Sequence, residues 1–134
     1  MSDVERNKQV VREFIDAYTS FDADKYEHLL APDPVYQVGV NVRPGKDGFL
    51  EVAKFGRLLY PNGMKKRTIQ HIIGEGDVVS VLLTVEAITN AGKDYKNDYA
   101  LFFELENGLI KRQVEMLDFR VSGDKFDLSV LAGA

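Results

Sequence analysis

The sequence predicts an α+β fold, with a curved antiparallel sheet wrapped around N-terminal helices. Two observations predict it. The C-terminal half carries four long apolar runs, divided by turn signals at Gly74-Glu75-Gly76-Asp77, Asn90-Ala91-Gly92-Lys93, Asn107-Gly108 and Ser122-Gly123-Asp124. Each run is longer than the usual strand of about 5–6 residues, and long strands in a meander curl. The chain before Pro61 reads as three helical segments, which supply filler for the mouth of such a sheet.

Ser2-Asp3-Val4-Glu5 has the form of a capping box, so helix 1 starts there and runs to about Ser20. Val10, Val11, Phe14, Ile15 and Tyr18 form its apolar stripe. Asp22 caps a short second helix that turns Tyr26, Leu29 and Leu30 inward and ends at Pro32 and Pro34. Val35–Val38 is a short strand, and Asn41-Val42-Arg43-Pro44-Gly45 reads as loop. Asp47 caps helix 3, whose face is Phe49, Val52, Ala53, Gly56 and Leu59, stopped by Pro61. Gly56 costs up to about 1 kcal/mol inside a helix; close approach of another group is its expected compensation. The strands are expected at about Arg67–Gly74, Val78–Thr89, Tyr95–Glu106 and Leu109–Val121, with Asn107-Gly108 as a two-residue hairpin turn. The tail Phe126–Ala134 is apolar, but its pattern assigns it to no element.

The 134 residues make one domain, 1–134, long enough to bury a core without staples. Without cysteine there are no disulfides, thiolate metal sites or cysteine nucleophiles, which fits a cytoplasmic location. No secretory signal pattern and no membrane-spanning run is read. A net charge of −4 argues against nucleic acid as a partner. Two distant histidines give no metal spacing, and no glycine-rich phosphate loop or Gly-x-Ser-x-Gly occurs. No metal and no cofactor are expected.

Side chains alternate across a strand. Strict alternation makes Val79, Val81, Leu83 and Val85 one face of their strand, and Tyr99, Leu101 and Phe103 one face of the next. The opposite sets are mixed, with Thr84, Asp98, Gln113 and Glu115. A sheet apolar on both faces needs two covers. Helices supply one, and a second subunit is the economical other. The purely apolar sets are the expected interface of a homodimer, and the mixed sets line the expected pocket.

Three stretches resemble the SnoaL-like branch of the nuclear transport factor 2-like fold, an α+β cone. They are Phe14-Ile15-Asp16-Ala17-Tyr18 through Leu29-Leu30-Ala31-Pro32; Thr68-Ile69-Gln70-His71-Ile72-Ile73-Gly74; and Phe102–Ile110 with Glu115-Met116-Leu117-Asp118. The stretch around His71 is similar to the histidine strand of scytalone dehydratase. Known catalytic sets do not carry over whole. Where ketosteroid isomerases carry a tyrosine, an aspartate base and a second acid, this chain has Phe14, Val38 and Ala100. The Arg-x-Asp pair of limonene-1,2-epoxide hydrolases is replaced by Leu82 and Thr84, with the last-strand acid kept as Glu115. The dehydratase comparison keeps His71 and Tyr18, while the aspartate after that tyrosine becomes Thr19.

The resemblance implies a cofactor-free lyase, dehydratase or isomerase that moves a proton on a small, apolar, ring-bearing metabolite. A non-catalytic ligand-binding or dimerisation module is the alternative. His71 is the first catalytic candidate, because imidazole titrates near neutrality; the other reading is a core histidine tied to a carbonyl. Glu115 is the second, as a partly desolvated carboxyl, against the reading of a cross-strand partner for a cation. Asp98 either orients His71 or is a surface charge. Tyr18 and Tyr36 are candidate hydroxyl donors. Phe14, Phe55, Tyr60, Phe102 and Leu117 are candidate walls, with Thr84 and Gln113 as polar lining.

Overall fold

The computed structural model describes residues 2–132. Helix α1 spans Asp3–Tyr18, and the Ser2 hydroxyl accepts from the Glu5 amide as the capping box requires. Its buried stripe is Val11, Phe14, Ile15 and Tyr18. The expected second helix is instead two 3₁₀ turns, Ala23–Lys25 and Glu27–Leu29. Leu30 already begins strand β1, Leu30–Val38. Pro32 and Pro34 explain this, since each disfavours helical geometry in the residue before it. They sit where the pairing of β1 shifts, between Leu30 and Val35, so their missing N–H groups break no regular ladder.

Gly39, at φ 57°, turns the chain into β2, Asn41–Pro44, which sequence pattern assigned to loop. Helix α2 runs Gly45–Leu59 with Pro44 at its N-cap. Asp47 lies in its first turn rather than capping it, where a negative charge favours the helix dipole. A Cβ on Gly56 would clash with the ring of Phe21, 2.1 Å from its Cδ1. That ring stacks on Tyr60 with centroids 5.2 Å apart, so the glycine's cost secures a close approach.

Four strands follow: β3 Lys66–Glu75, β4 Val78–Ile88, β5 Asp94–Glu106 and β6 Leu109–Leu117. Among the described residues the sheet has six strands in the order β2-β1-β6-β5-β4-β3. It is mixed rather than wholly antiparallel, because β1 pairs parallel with β6. It is open, with β2 and β3 as its edges. Strand β6 stops four residues earlier than the pattern suggested. Asp118 ends it and caps α3, Phe119–Lys125, accepting from the amides of Arg120 and Val121. A 3₁₀ turn, Leu128–Leu131, completes the described tail. Phe126 is buried against Tyr60 and Tyr95, so part of the apolar tail belongs to the core; Gly133 and Ala134 lie outside the described residues.

The helices cover the face opposite to the one strict alternation assigned. Val79, Val81, Leu83, Val85, Tyr99, Leu101 and Phe103, read as a subunit interface, are all buried under the helices. Thr84 and Asp98 lie on the outer face. Physically, a continuous apolar row is the better partner for helix stripes that are themselves apolar. Two bulges add to the correction. Between Ile69 and His71 the register with β4 shifts, so Ile69 and Ile72 pack on the core while His71 and Ile73 face away. Another shift, where Leu105 pairs Ile110 and Glu104 pairs Arg112, sets Ile110 and Gln113 on the same inner face. Each bulge inserts one residue and inverts the alternation beyond it. Among the described residues, no helix is long and apolar enough to cross a membrane.

Candidate functional site

Glu115 is the polar centre of the inner face. It lies opposite Leu101 on β5 and Val38 on β1. The parallel β1–β6 pair places Tyr36 beside Gln113, two residues along, on that same face. The Tyr36 hydroxyl donates to Glu115 Oε2 at 2.9 Å. Tyr18, from α1, contributes a further hydrogen-bonding contact to both groups. The carboxyl is deeply enclosed by protein, and the residue nevertheless keeps accessible surface. Around it Val38 and Leu117 are likewise only partly buried, while Phe14 and Phe103 farther in are sealed.

Burial raises the Glu115 pKa from 4.5 to about 7, and the hydrogen bonds from Tyr36 and Tyr18 hold it from rising further. Its partners are phenols and not the cross-strand cation of the alternative reading. The Tyr18 and Tyr36 hydroxyls are themselves pushed well above 10.0, first by burial and next by the Glu115 charge, so they stay protonated and donate. A carboxyl that titrates near neutrality accepts and returns protons with little penalty either way.

A further polar group lies on the same inner face. The Tyr60 and Tyr99 hydroxyls are 3.0 Å apart, and those of Tyr95 and Tyr99 2.6 Å apart. Asn97 donates to Tyr95. Of these, sequence reasoning singles out only Tyr60 for the pocket and assigns Tyr99 to the interface. The missed signal is the spacing Tyr95-Asn97-Tyr99, which puts three polar groups on the face that continues as Leu101 and Phe103. Gln113 is wholly buried, between Tyr36 and Phe103, and its amide N and O have no partner among the described residues.

The structure brings together Phe14, Tyr18, Tyr36, Tyr60, Gln113, Glu115 and Leu117 on the inner side. It separates five others from them. His71 is exposed on the outer face opposite Leu82, so it does not share a cavity with Glu115. Thr84 donates to Asp98 at 2.7 Å on that outer face, with Gln70 bonded to both; Asp98 does not orient His71. Phe102 is 45% exposed there. Phe55 lies under the Arg43 guanidinium, 5.2 Å from ring centre to charge, and is not among the side chains packed on the core. His28 is on the surface near Glu13. Among the described residues no three His, Asp or Glu side chains gather as a metal site.

A family model for the SnoaL-like domain matches residues 11–113. The chain belongs to the SnoaL-like family. Solved structures of the same fold include three whose names are provisional. An isomerase from Bacillus subtilis superposes with a TM-score of 0.81 at 16% identity, over 93% of this chain and 95% of that one. A SnoaL-like polyketide cyclase from Jannaschia sp. CCS1 gives 0.78 at 15%, over 93% and 94%. A ketosteroid isomerase from Kribbella flavida DSM 17836 gives 0.72 at 19%, over 88% and 82%. No functionally curated protein matches the sequence. The Glu115 carboxyl of this SnoaL-like domain lies on the last long strand, β6.

The raised pKa of Glu115 makes a signed prediction about stability. Between pH 4.5 and about 7 the unfolded chain has lost this proton and the folded chain keeps it. Stability therefore falls as pH rises through that window, by about 3 kcal/mol. In Glu115→Gln this loss is absent. Urea unfolding across the window will show the variant gaining on wild type with rising pH and levelling off above about 7. A constant difference across the window contradicts the assignment.

Proposed function

We propose that this protein is a cofactor-independent proton-transfer enzyme of the isomerase and cyclase type, with Glu115 as its acid and base. The observation that carries the reading is the buried Glu115 carboxyl, held by two phenolic donors on the apolar inner face of the cone. Near neutral pH both of its protonation states are populated. As carboxylate it takes a proton from a carbon next to a carbonyl. The C–H electron pair moves into the enolate, and the proton rests on Glu115 with Tyr36 and Tyr18 steadying the charge. Glu115 then returns it. Delivery to a different carbon completes a double-bond shift, and attack of the enolate carbon on a second carbonyl of the same molecule, with that oxygen protonated, completes a ring closure. The aromatic walls Phe14, Tyr18, Tyr36 and Tyr60 suit a small ring-bearing ligand. The provisional names of the Bacillus, Jannaschia and Kribbella proteins support this reaction class. His71 has no part in it.

The ligand-binding alternative is decided by one assay that needs no known substrate. Cyclic ketones and β-diketones are incubated with the protein in heavy water, and deuterium entry next to the carbonyl is followed by NMR. Wild type will accelerate exchange for some members of the panel, with a rate that rises through pH 7 as the base forms. Glu115→Gln will lower it by about 10²–10⁴-fold, the usual worth of a positioned base. Exchange at the uncatalysed rate across the panel favours a binding module.

The outer face supports a homodimer formed by residues other than those the alternation pattern selected. Leu82, Ala100, Phe102, Val114 and Met116 are cross-strand neighbours there, with Ile73 65% exposed beside them. Charged or polar pairs flank this apolar strip: Arg112 with Glu104 and Gln37 on one side, Gln70 with Thr84 and Asp98 on the other. An apolar strip with a polar rim suits burial against a second copy. Sedimentation at micromolar concentration will give a dimer, and Phe102→Glu a monomer of unchanged circular dichroism. A monomeric wild type refutes this surface.

A further inference from the structure

Lys65-Lys66-Arg67 is the longest basic run of an acidic chain, and proton transfer at Glu115 makes no use of it. It stands where β3 begins, on the edge strand that lies against α1. Helix and strand run in opposite senses. At one end they are in close contact: a Cβ on Gly74 would come within 2.8 Å of Val4. At the other end, between Ile15-Asp16 of α1 and Arg67–Ile69 of β3, they leave a surface groove of about 450 Å³. That volume suits a small organic ligand.

The floor of the groove is apolar. Ile15 is buried, and Met64 and Ile69 are half-buried and packed on the core. Its rim is basic. Arg67 and Ile69, two residues apart before the bulge, share the side of β3 that faces α1, and the Arg67 guanidinium donates to Asp16 at 3.3 Å. This pair uses one of five guanidinium N–H groups. It is exposed at both ends, so Asp16 holds the charge weakly. The Lys65 and Lys66 ammonium groups form no ion pair among the described residues. Lys65 also borders a second depression, where Lys96 and Lys125 stand with Glu86 and Asp94. Across both, five cations meet three carboxylates, on a chain whose net charge is −4. The potential at this end of the sheet therefore opposes that of the whole molecule.

We propose that the groove between α1 and β3 is a binding site for a small aromatic carboxylate, separate from Glu115. The ring lies on Ile15, Met64 and Ile69. The carboxylate takes the remaining Arg67 donors in the planar, paired geometry that a guanidinium favours, with Lys65 beside it. A polyanion is the poorer occupant, because the acidic remainder of the chain repels it. The site stands whether or not Glu115 is a base.

Titration with 2-naphthoate and with its uncharged isostere 2-naphthamide, followed by the methyl NMR resonance of Met64, tests this. In wild type, naphthoate will shift that resonance to saturation and bind about tenfold or more tightly than the amide; added salt will narrow the gap. Arg67→Gln will bring the ratio of affinities near unity, and Lys65→Gln will reduce it. Lys111→Gln removes the same charge elsewhere and will leave the ratio unchanged. Asp16→Asn, which frees Arg67 of its own carboxylate, will strengthen naphthoate binding. All four positions are exposed, and each variant is compared with itself on two ligands, so a general loss of fold cannot mimic this pattern. An unmoved Met64 methyl or equal affinities for the two ligands overturns the proposal. So does a ratio that Lys111→Gln lowers as much as Arg67→Gln. Naphthoate binding unchanged in Glu115→Gln supports a separate site, and binding lost in that variant moves the ligand to the inner face and overturns it.

Discussion

Everything distinctive about this cone follows from one carboxyl kept out of bulk water. Glu115 sits on an inner face built mostly of aromatic and aliphatic side chains, and desolvation lifts its pKa to about 7. An ion in such a place is tolerated only with donors aimed at it. Tyr36 supplies the nearest and Tyr18 the next. Neither reaches Glu115 by chance of sequence proximity. Strand β1 must run parallel beside β6 to set Tyr36 against it, and α1 must lie across the same face to present Tyr18. The parallel pair is thus the topological device that assembles the site.

The rest of the fold divides the sheet's two faces between different tasks. The inner one receives the continuous apolar rows of β4 and β5, with Phe14 buried edge to face against both Phe49 and Phe103. Around Glu115 and along β5 phenols replace phenylalanines, so the polar groups of this face collect there. The outer one keeps its own apolar strip and the Gln70–Thr84–Asp98 network. A wholly buried Gln113 amide without partners costs about 1–3 kcal/mol, borne in the wall next to Glu115.

Helices α1 and α2, the hairpins and the family resemblance are legible in the sequence because they rest on local signals: the Ser2–Glu5 capping box, the Asn107-Gly108 turn, the apolar stripe of α1. The desolvation of Glu115 is legible too, from a carboxyl set among Gln113 and Leu117. The faces are not. Alternation is counted residue by residue, and a bulge of one residue inverts everything beyond it. The bulge before His71 turns a histidine expected beside Ile69 and Ile73 out to the surface. The one near Arg112 joins Ile110 to Gln113 and Glu115. No residue type marks either bulge, because each is set by pairing with a neighbouring strand. The prolines at 32 and 34 read as the end of a helix, yet they lie inside an irregular strand. Tyr95, Asn97 and Tyr99 escape notice because strict alternation assigns their face to the wrong side.

The central claim is that this carboxyl changes charge near neutral pH, and it is measured most directly on the carboxyl itself. Selective labelling of glutamate side chains and NMR titration of the Glu115 carboxyl carbon, assigned through Glu115→Gln, reports its protonation without any substrate. The account predicts a midpoint near 7, rising further in Tyr36→Phe as a donor to the charged form is lost. A midpoint at the ordinary carboxylate value of 4.5, unmoved by Tyr36→Phe, contradicts it.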